Sequence, residues 1–180
     1  KIQLHKTYYD IAEINAVDEN KKLVYYTLAY PTALDRNLFV TGFDGLKTTQ
    51  LTTGSGWHKI EMNDSLNRFY DYYSDINTPK TTTLFNLVFS KKEIAAVKDK
   101  VVGENAVVKT LLTNYDMGTV SIIRVPNSKG DTLNGWMLKP SNFDANQKYP
   151  VLFCNYGGPG SQQVTNRYGA VSYWHRLLAA

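Results

Sequence analysis

The chain has 180 residues, 43% hydrophobic and 20% charged, which suits one domain or parts of two and excludes a disordered chain. Its net charge of +4 comes from scattered Lys and Arg. The nearest approach to a basic cluster, Lys91, Lys92, Lys98 and Lys100, is broken by Glu93 and Asp99, so a solvated surface is expected and not a nucleic-acid partner.

Thirteen Tyr, several in runs such as Tyr25-Tyr26 and Phe69-Tyr70-Asp71-Tyr72-Tyr73, point to β-rich structure at the start of the chain. Asp10 to Val17 alternates apolar and polar residues. Leu23 to Ala29 follows a polar turn, and Leu38 to Phe43 ends at Asp44-Gly45, a hairpin-type pair. Trp57 to Met62, Arg68 to Tyr73 and Thr82 to Phe89 continue the series, one strand in roughly every 10 to 15 residues. This pitch predicts antiparallel blades, a sandwich or a barrel. Asp10–Phe43 and Trp57–Phe89 share a strand–turn–strand order, as two four-stranded propeller blades would.

Lys91 to Val102 has helical composition, but its apolar residues fit neither the helical nor the strand period. Glu104 to Tyr115 carries a clearer stripe of Val107, Val108, Leu111, Leu112 and Tyr115 and is predicted as a helix ending near Gly118. Val120–Val125 and Leu133–Leu138 flank the turn Asn127–Asp131 and predict a hairpin. Val151 to Asn155 is apolar on both faces, which predicts a strand in the middle of a covered sheet, with Cys154 as a small buried residue on it. A Gly-rich loop, Gly157 to Gly160, follows, and Tyr173 to Ala180 starts a helix. Strand, strand, loop, buried strand, Gly-rich loop, helix is the opening order of an α/β-hydrolase sheet.

In such a sheet the loop after the third strand passes close to the substrate carbonyl and contributes a donor to the oxyanion hole. Glycines remove Cβ atoms and allow positive φ, which accounts for Gly157, Gly158 and Gly160, while Pro159 is expected to stiffen the turn. Tyr156 precedes them. A phenol with a pKa near 10 stays protonated at neutral pH and can donate its hydroxyl to the oxyanion.

Tyr156-Gly157-Gly158-Pro159-Gly160-Ser161-Gln162 resembles the Tyr-(Ala/Gly)-Gly-Pro-x-Ser-Gln motif of the dipeptidyl peptidase IV family of serine peptidases, relatives of prolyl oligopeptidase. Asn134–Pro140, Asn142-Phe143-Asp144 and Lys148–Leu152 resemble the family's approach to that motif. Val17-Asp18-Glu19, Leu23–Thr27, Arg36–Phe39, Leu51-Thr52, Gly56-Trp57-His58, Tyr73-Ser74-Asp75 and Thr78-Pro79 resemble its last propeller blades. The resemblance implies a mixed fold: propeller blades over residues 1–102, a helical connector over 103–118, and the first strands and helix of an α/β-hydrolase catalytic domain over 119–180.

It further implies a peptidase that releases X-Pro or X-Ala dipeptides from free N-termini of peptides through a Ser–Asp–His triad, with Tyr156 as its oxyanion-hole residue. No cofactor or metal is implied. The family leaves room for a homodimer and places its members outside the cytoplasm: periplasmic, secreted or membrane-anchored. Ser161 and Gln162 match the motif and receive no catalytic role.

The chain has no G-x-S-x-G; Thr53-Gly54-Ser55-Gly56 and Pro159-Gly160-Ser161 come nearest. In the family the triad follows, and the Glu pair that binds the substrate amine precedes, the stretch seen here. With no initiator Met and an apolar helical pattern running into Ala180, the sequence reads as an internal piece of a longer protein, inactive alone.

Two other readings stay open: an acylaminoacyl-peptidase or oligopeptidase relative, or a non-catalytic β-rich interaction module. Acylaminoacyl peptidases tend to carry His at the place of Tyr156. His5, His58 and His175 have no metal-type spacing, and His58 is expected to pack structurally at a blade turn. No apolar run reaches the roughly 18 residues of a membrane span, and no signal peptide is present.

Overall fold

The computed structural model describes residues 3–91, 93–158 and 160–180. Two four-stranded antiparallel sheets occupy the first part of the chain. One contains β1 (Ile11–Asp18), β2 (Leu23–Leu28), β3 (Asn37–Gly42) and β4 (Thr48–Gln50) in that spatial order. The other contains β5 (Trp57–Met62), β6 (Arg68–Ser74), β7 (Thr81–Phe89) and β8 (Ile94–Gly103), again in chain order. Each is the four-stranded meander of a propeller blade.

Alternation along the strands sets what each face buries. Leu23 and Tyr25 of β2, Leu38 and Val40 of β3, and Leu51 share one core with Ile60 of β5, Phe69 of β6 and Leu87 of β7, so the two sheets pack against each other. The alternate residues, Tyr26, Leu28 and Phe39, form a second cluster on the opposite face of the first sheet. The N-terminal segment reaches this cluster. Tyr26 Oη and His5 Nδ1 lie 2.8 Å apart, and Tyr9 meets Tyr30 edge-on at 5.0 Å. With both faces covered, β2 and β3 are the most buried strands of the sheet.

The segment with mixed signals, Lys91 to Val102, supplies the edge strand β8. Its pairing with β7 slips twice, leaving Asp99 and Val102 as extra residues. Each slip reverses which side chains face inward, so no single period survives in the sequence. Lys92 lies outside the described residues.

The predicted helix over Glu104–Tyr115 is shorter, α1 (Ala106–Leu112), followed by turn hydrogen bonds as far as Tyr115. None of its side chains is buried. β9 (Thr119–Pro126) and β10 (Thr132–Lys139) form the expected hairpin, closed by Asn127 Oδ1, which accepts from the N–H groups of Lys129 and Asp131. α2 (Tyr173–Ala179) is capped by Ser172, whose Oγ accepts from His175 N while His175 Nδ1 accepts from Ser172 N. A third cluster, Ile76, Val120 and Val171 with Trp136 and Leu138, ties the β6–β7 connection of the second sheet to the hairpin and to the turn before α2. Among the described residues no helix is long and apolar enough to cross a membrane.

The buried strand expected over Val151 to Asn155 does not form. No described segment pairs with it, and Val151 and Phe153 are 79% and 90% exposed. Cys154, expected to be buried, is exposed as well, with Sγ 3.7 Å from His175 Nε2. A central strand needs a partner on each side, and the β9–β10 hairpin offers neither of its edges to this segment.

Candidate functional site

Tyr156 follows the unpaired segment directly and is 62% exposed. Its ring folds back over Gly158, where a Cβ would stand 2.5 Å from the phenol oxygen, so glycine there leaves the ring its place. Gly160 has φ of +75°, the left-handed region that glycine enters without strain. Gly157 and Gly158 are not in that region, so positive φ explains one of the three glycines only. Pro159, expected to stiffen the turn, lies outside the described residues.

The chain beyond these glycines is held by the blades. Gln162 Nε2 donates to the carbonyls of Ala33 (2.8 Å) and Val164 (3.0 Å), and its Oε1 accepts from Arg36 Nη2 (2.8 Å). Arg36 Nη1 donates to the carbonyls of Ala33 and Asp35, and the guanidinium lies 4.4 Å over the Trp57 ring. Asn166 donates from its backbone to the Leu34 carbonyl and from Nδ2 to Asp35 Oδ1 and Ser55 Oγ, both at 2.9 Å. Its Oδ1 accepts from Ile76 N.

Asp35 is the hub of this junction. Thr32 Oγ1, Ser55 Oγ, Gly56 N and Asn166 Nδ2 all donate to its buried carboxylate. Burial alone would raise its pKa. The hydrogen bonds from Thr32, Asn166, Gly56 and Ser55 outweigh burial and hold it below the usual carboxylate value. Gly56 itself has φ of +133°, and a Cβ there would meet the Tyr73 ring at 2.6 Å.

The three histidines take structural positions. His5 bonds Tyr26, and His175 caps α2 and lies 5.1 Å from Trp136 edge-on. His58 sits within β5 rather than at a turn, buried, with Nδ1 2.8 Å from Asp71 Oδ2. The pair borders a cleft of about 310 Å³ between β4 and β8. Asp71 is directly readable in the sequence only as one polar residue in an aromatic run, so this pairing had no local signal. Among the described residues no three His, Cys, Asp or Glu side chains gather as a metal site.

What the arrangement offers chemically is one exposed phenol donor on a Gly-rich loop, anchored to the blades a few residues later. Among the described residues, no serine with a His and an acid is gathered around it.

Comparisons with known proteins fit this geometry. The model of the dipeptidyl peptidase IV (DPP IV) N-terminal region matches residues 1–80. A probable dipeptidyl peptidase 4 of Aspergillus flavus is 26% identical over 181 residues, spanning 96% of this chain and 22% of that protein. Dipeptidyl peptidase 4 of Trichophyton rubrum is 27% identical over 175 residues, with the same two shares, 96% and 22%. The crystal structure of Porphyromonas gingivalis dipeptidyl peptidase 4 superposes with a TM-score of 0.84 at 24% identity, covering 98% of this chain and 24% of that one. The chain thus spans less than a quarter of the relatives it resembles.

Proposed function

We propose that the chain belongs to the dipeptidyl peptidase IV family, whose N-terminal region matches residues 1–80 and whose members align along 96% of it, and that it is part of a serine exopeptidase releasing X-Pro or X-Ala dipeptides from peptide N-termini. Residues 1–102 contribute blades of the propeller, 103–118 connect, and 119–180 open the α/β-hydrolase domain. The observation that carries this reading is the loop itself: an exposed Tyr156 followed by glycines, Ser161 and a Gln162 docked on the first blade.

In the assembled site the Tyr156 hydroxyl donates to the carbonyl oxygen as it becomes an oxyanion. The bond strengthens as negative charge develops, so it lowers the barrier more than it aids substrate binding. The attacking serine, its His and its Asp come from outside these residues, and the segment alone is inactive. The same reading puts the full-length protein outside the cytoplasm and gives it peptides with a free N-terminus as substrates.

The test is Tyr156→Phe in the full-length protein, assayed on an X-Pro dipeptide amide. Loss of one oxyanion donor corresponds to about 2.7–4 kcal/mol, or roughly 10²–10³ in kcat, with KM little changed. Wild-type turnover would remove Tyr156 from the oxyanion hole. Assaying free against acylated N-termini separates a dipeptidyl peptidase from an acylaminoacyl peptidase.

A further inference from the structure

Gly157, Gly158 and Gly160 leave the backbone beside Tyr156 more freedom than any other residue would. An oxyanion donor is effective only when it is held in place before the charge appears. A fixed anchor on the far side of the glycines would limit that freedom, and the first side chain after them with a full set of partners is Gln162.

Its amide orientation follows from the network. Two carbonyl oxygens, of Ala33 and Val164, face Nε2, and a guanidinium faces Oε1. Reversing the amide would set oxygen against oxygen and N–H against N–H, so the site accepts one orientation only. Arg36 is equally constrained. Its other nitrogen bonds two carbonyls, its guanidinium stacks on Trp57, and its backbone bridges both sides of Trp57: Arg36 N donates to Gly56 O and His58 N to Arg36 O. The turn that grips Gln162 is thus fastened to both sheets at once. Asn166 repeats the attachment four residues on, through Leu34, Asp35 and Ser55.

We propose that Gln162 and Arg36 are positioning residues for Tyr156: the blade turn Ala33–Arg36 sets where the loop stands, and through it where the phenol donates. This rests on the oxyanion reading of Tyr156 above. It assigns the propeller side of the molecule a part in the chemical step, in addition to any part in admitting substrate.

The experiment is a cycle of variants in the full-length protein, with kcat and KM measured on a chromogenic X-Pro dipeptide amide. Gln162→Met keeps the length of the side chain and removes its hydrogen bonds. It is expected to lower kcat about 10-fold with KM within about twofold, because a donor displaced by a fraction of an ångström loses most of its preference for the transition state. Arg36→Lys keeps a cation and an apolar stem over Trp57 but cannot hold Gln162 and two carbonyls together, and it is expected to give the same split.

In a Tyr156→Phe background, Gln162→Met is expected to cost less than about twofold, since the group it positions is gone. A merely structural role for Gln162 would lower activity equally with and without the Tyr156 hydroxyl. Wild-type kcat in both Gln162→Met and Arg36→Lys, or an undiminished loss in the Tyr156→Phe background, overturns the proposal. An impaired Tyr156→Phe beside a fully active Gln162→Met strikes the positioning role alone. Wild-type turnover in Tyr156→Phe strikes the oxyanion reading itself. Should Gln162→Met fail to fold, Arg36→Lys alone and in the Tyr156→Phe background carries the same comparison.

Discussion

Asp35 shows how one buried carboxylate can hold a junction between distant parts of a chain. Four donors from Thr32, Ser55, Gly56 and Asn166 satisfy it, so hydrogen-bond dipoles compensate its charge directly, with the Arg36 guanidinium near enough to share in the electrostatics. Because its folded pKa lies below the ordinary value of about 3.9, the folded state binds the carboxylate form more tightly than the unfolded chain does. That stabilisation is fully present above pH ~4 and is lost as the pH falls through the lowered folded pKa. Unfolding free energies of the protein and of Asp35→Asn, measured from pH 7 down to acid, should therefore differ most near neutrality and converge below about pH 4. A constant difference at every pH would show that the carboxylate charge is not what stabilises the junction. None of this was legible locally. The sequence singles out Tyr156 and its glycines, which are neighbours. Asp35 and Asn166 are 131 positions apart and meet only after both sheets have formed.

Elements were legible where the period-2 pattern was unbroken and obscure where pairing slipped. β2, β3, β5, β6 and the β9–β10 hairpin stand within a residue or two of their expected bounds. β4 has only three residues, too few to display a period, and β8 has its alternation reversed by two bulges. Even where the strand was clear, its inward face was not, because Arg68–Ser74 is aromatic on both faces. The structure separates them. Phe69 is buried, stacks on Phe85 at 5.2 Å and enters the core shared by the two sheets, while Tyr70 points outward and is 40% exposed. Phe69→Ala is expected to destabilise the protein by about 3–5 kcal/mol in denaturant unfolding, through lost burial and the cavity left between the sheets. Tyr70→Ala should cost less than about 1 kcal/mol. Equal costs would contradict the assignment of faces.

At the scale of the whole molecule, the two sheets and the segment after β10 differ in how far they satisfy themselves. Each blade pairs its inner strands on both sides and shares a core with its neighbour. Val151–Asn155 is as apolar as any strand in the chain, yet it stands unpaired and exposed. Leaving several large apolar side chains in water costs about 1.5–3 kcal/mol each relative to burial, so the sequence there is written for a sheet that needs more strands than β9 and β10. Amide hydrogen exchange can read this directly. In the isolated 180-residue segment, amides of Val151–Asn155 should exchange at nearly unprotected rates, while those of β2, β3 and β6 are protected. If residues 119–180 open an α/β-hydrolase domain as proposed, the same five amides should become protected by orders of magnitude in the full-length protein, with flanking strands bonding them, and the blade amides should change little. Fast exchange of Val151–Asn155 in the full-length protein would remove this segment from a central sheet. It would leave the blades untouched, since their ladders close without it.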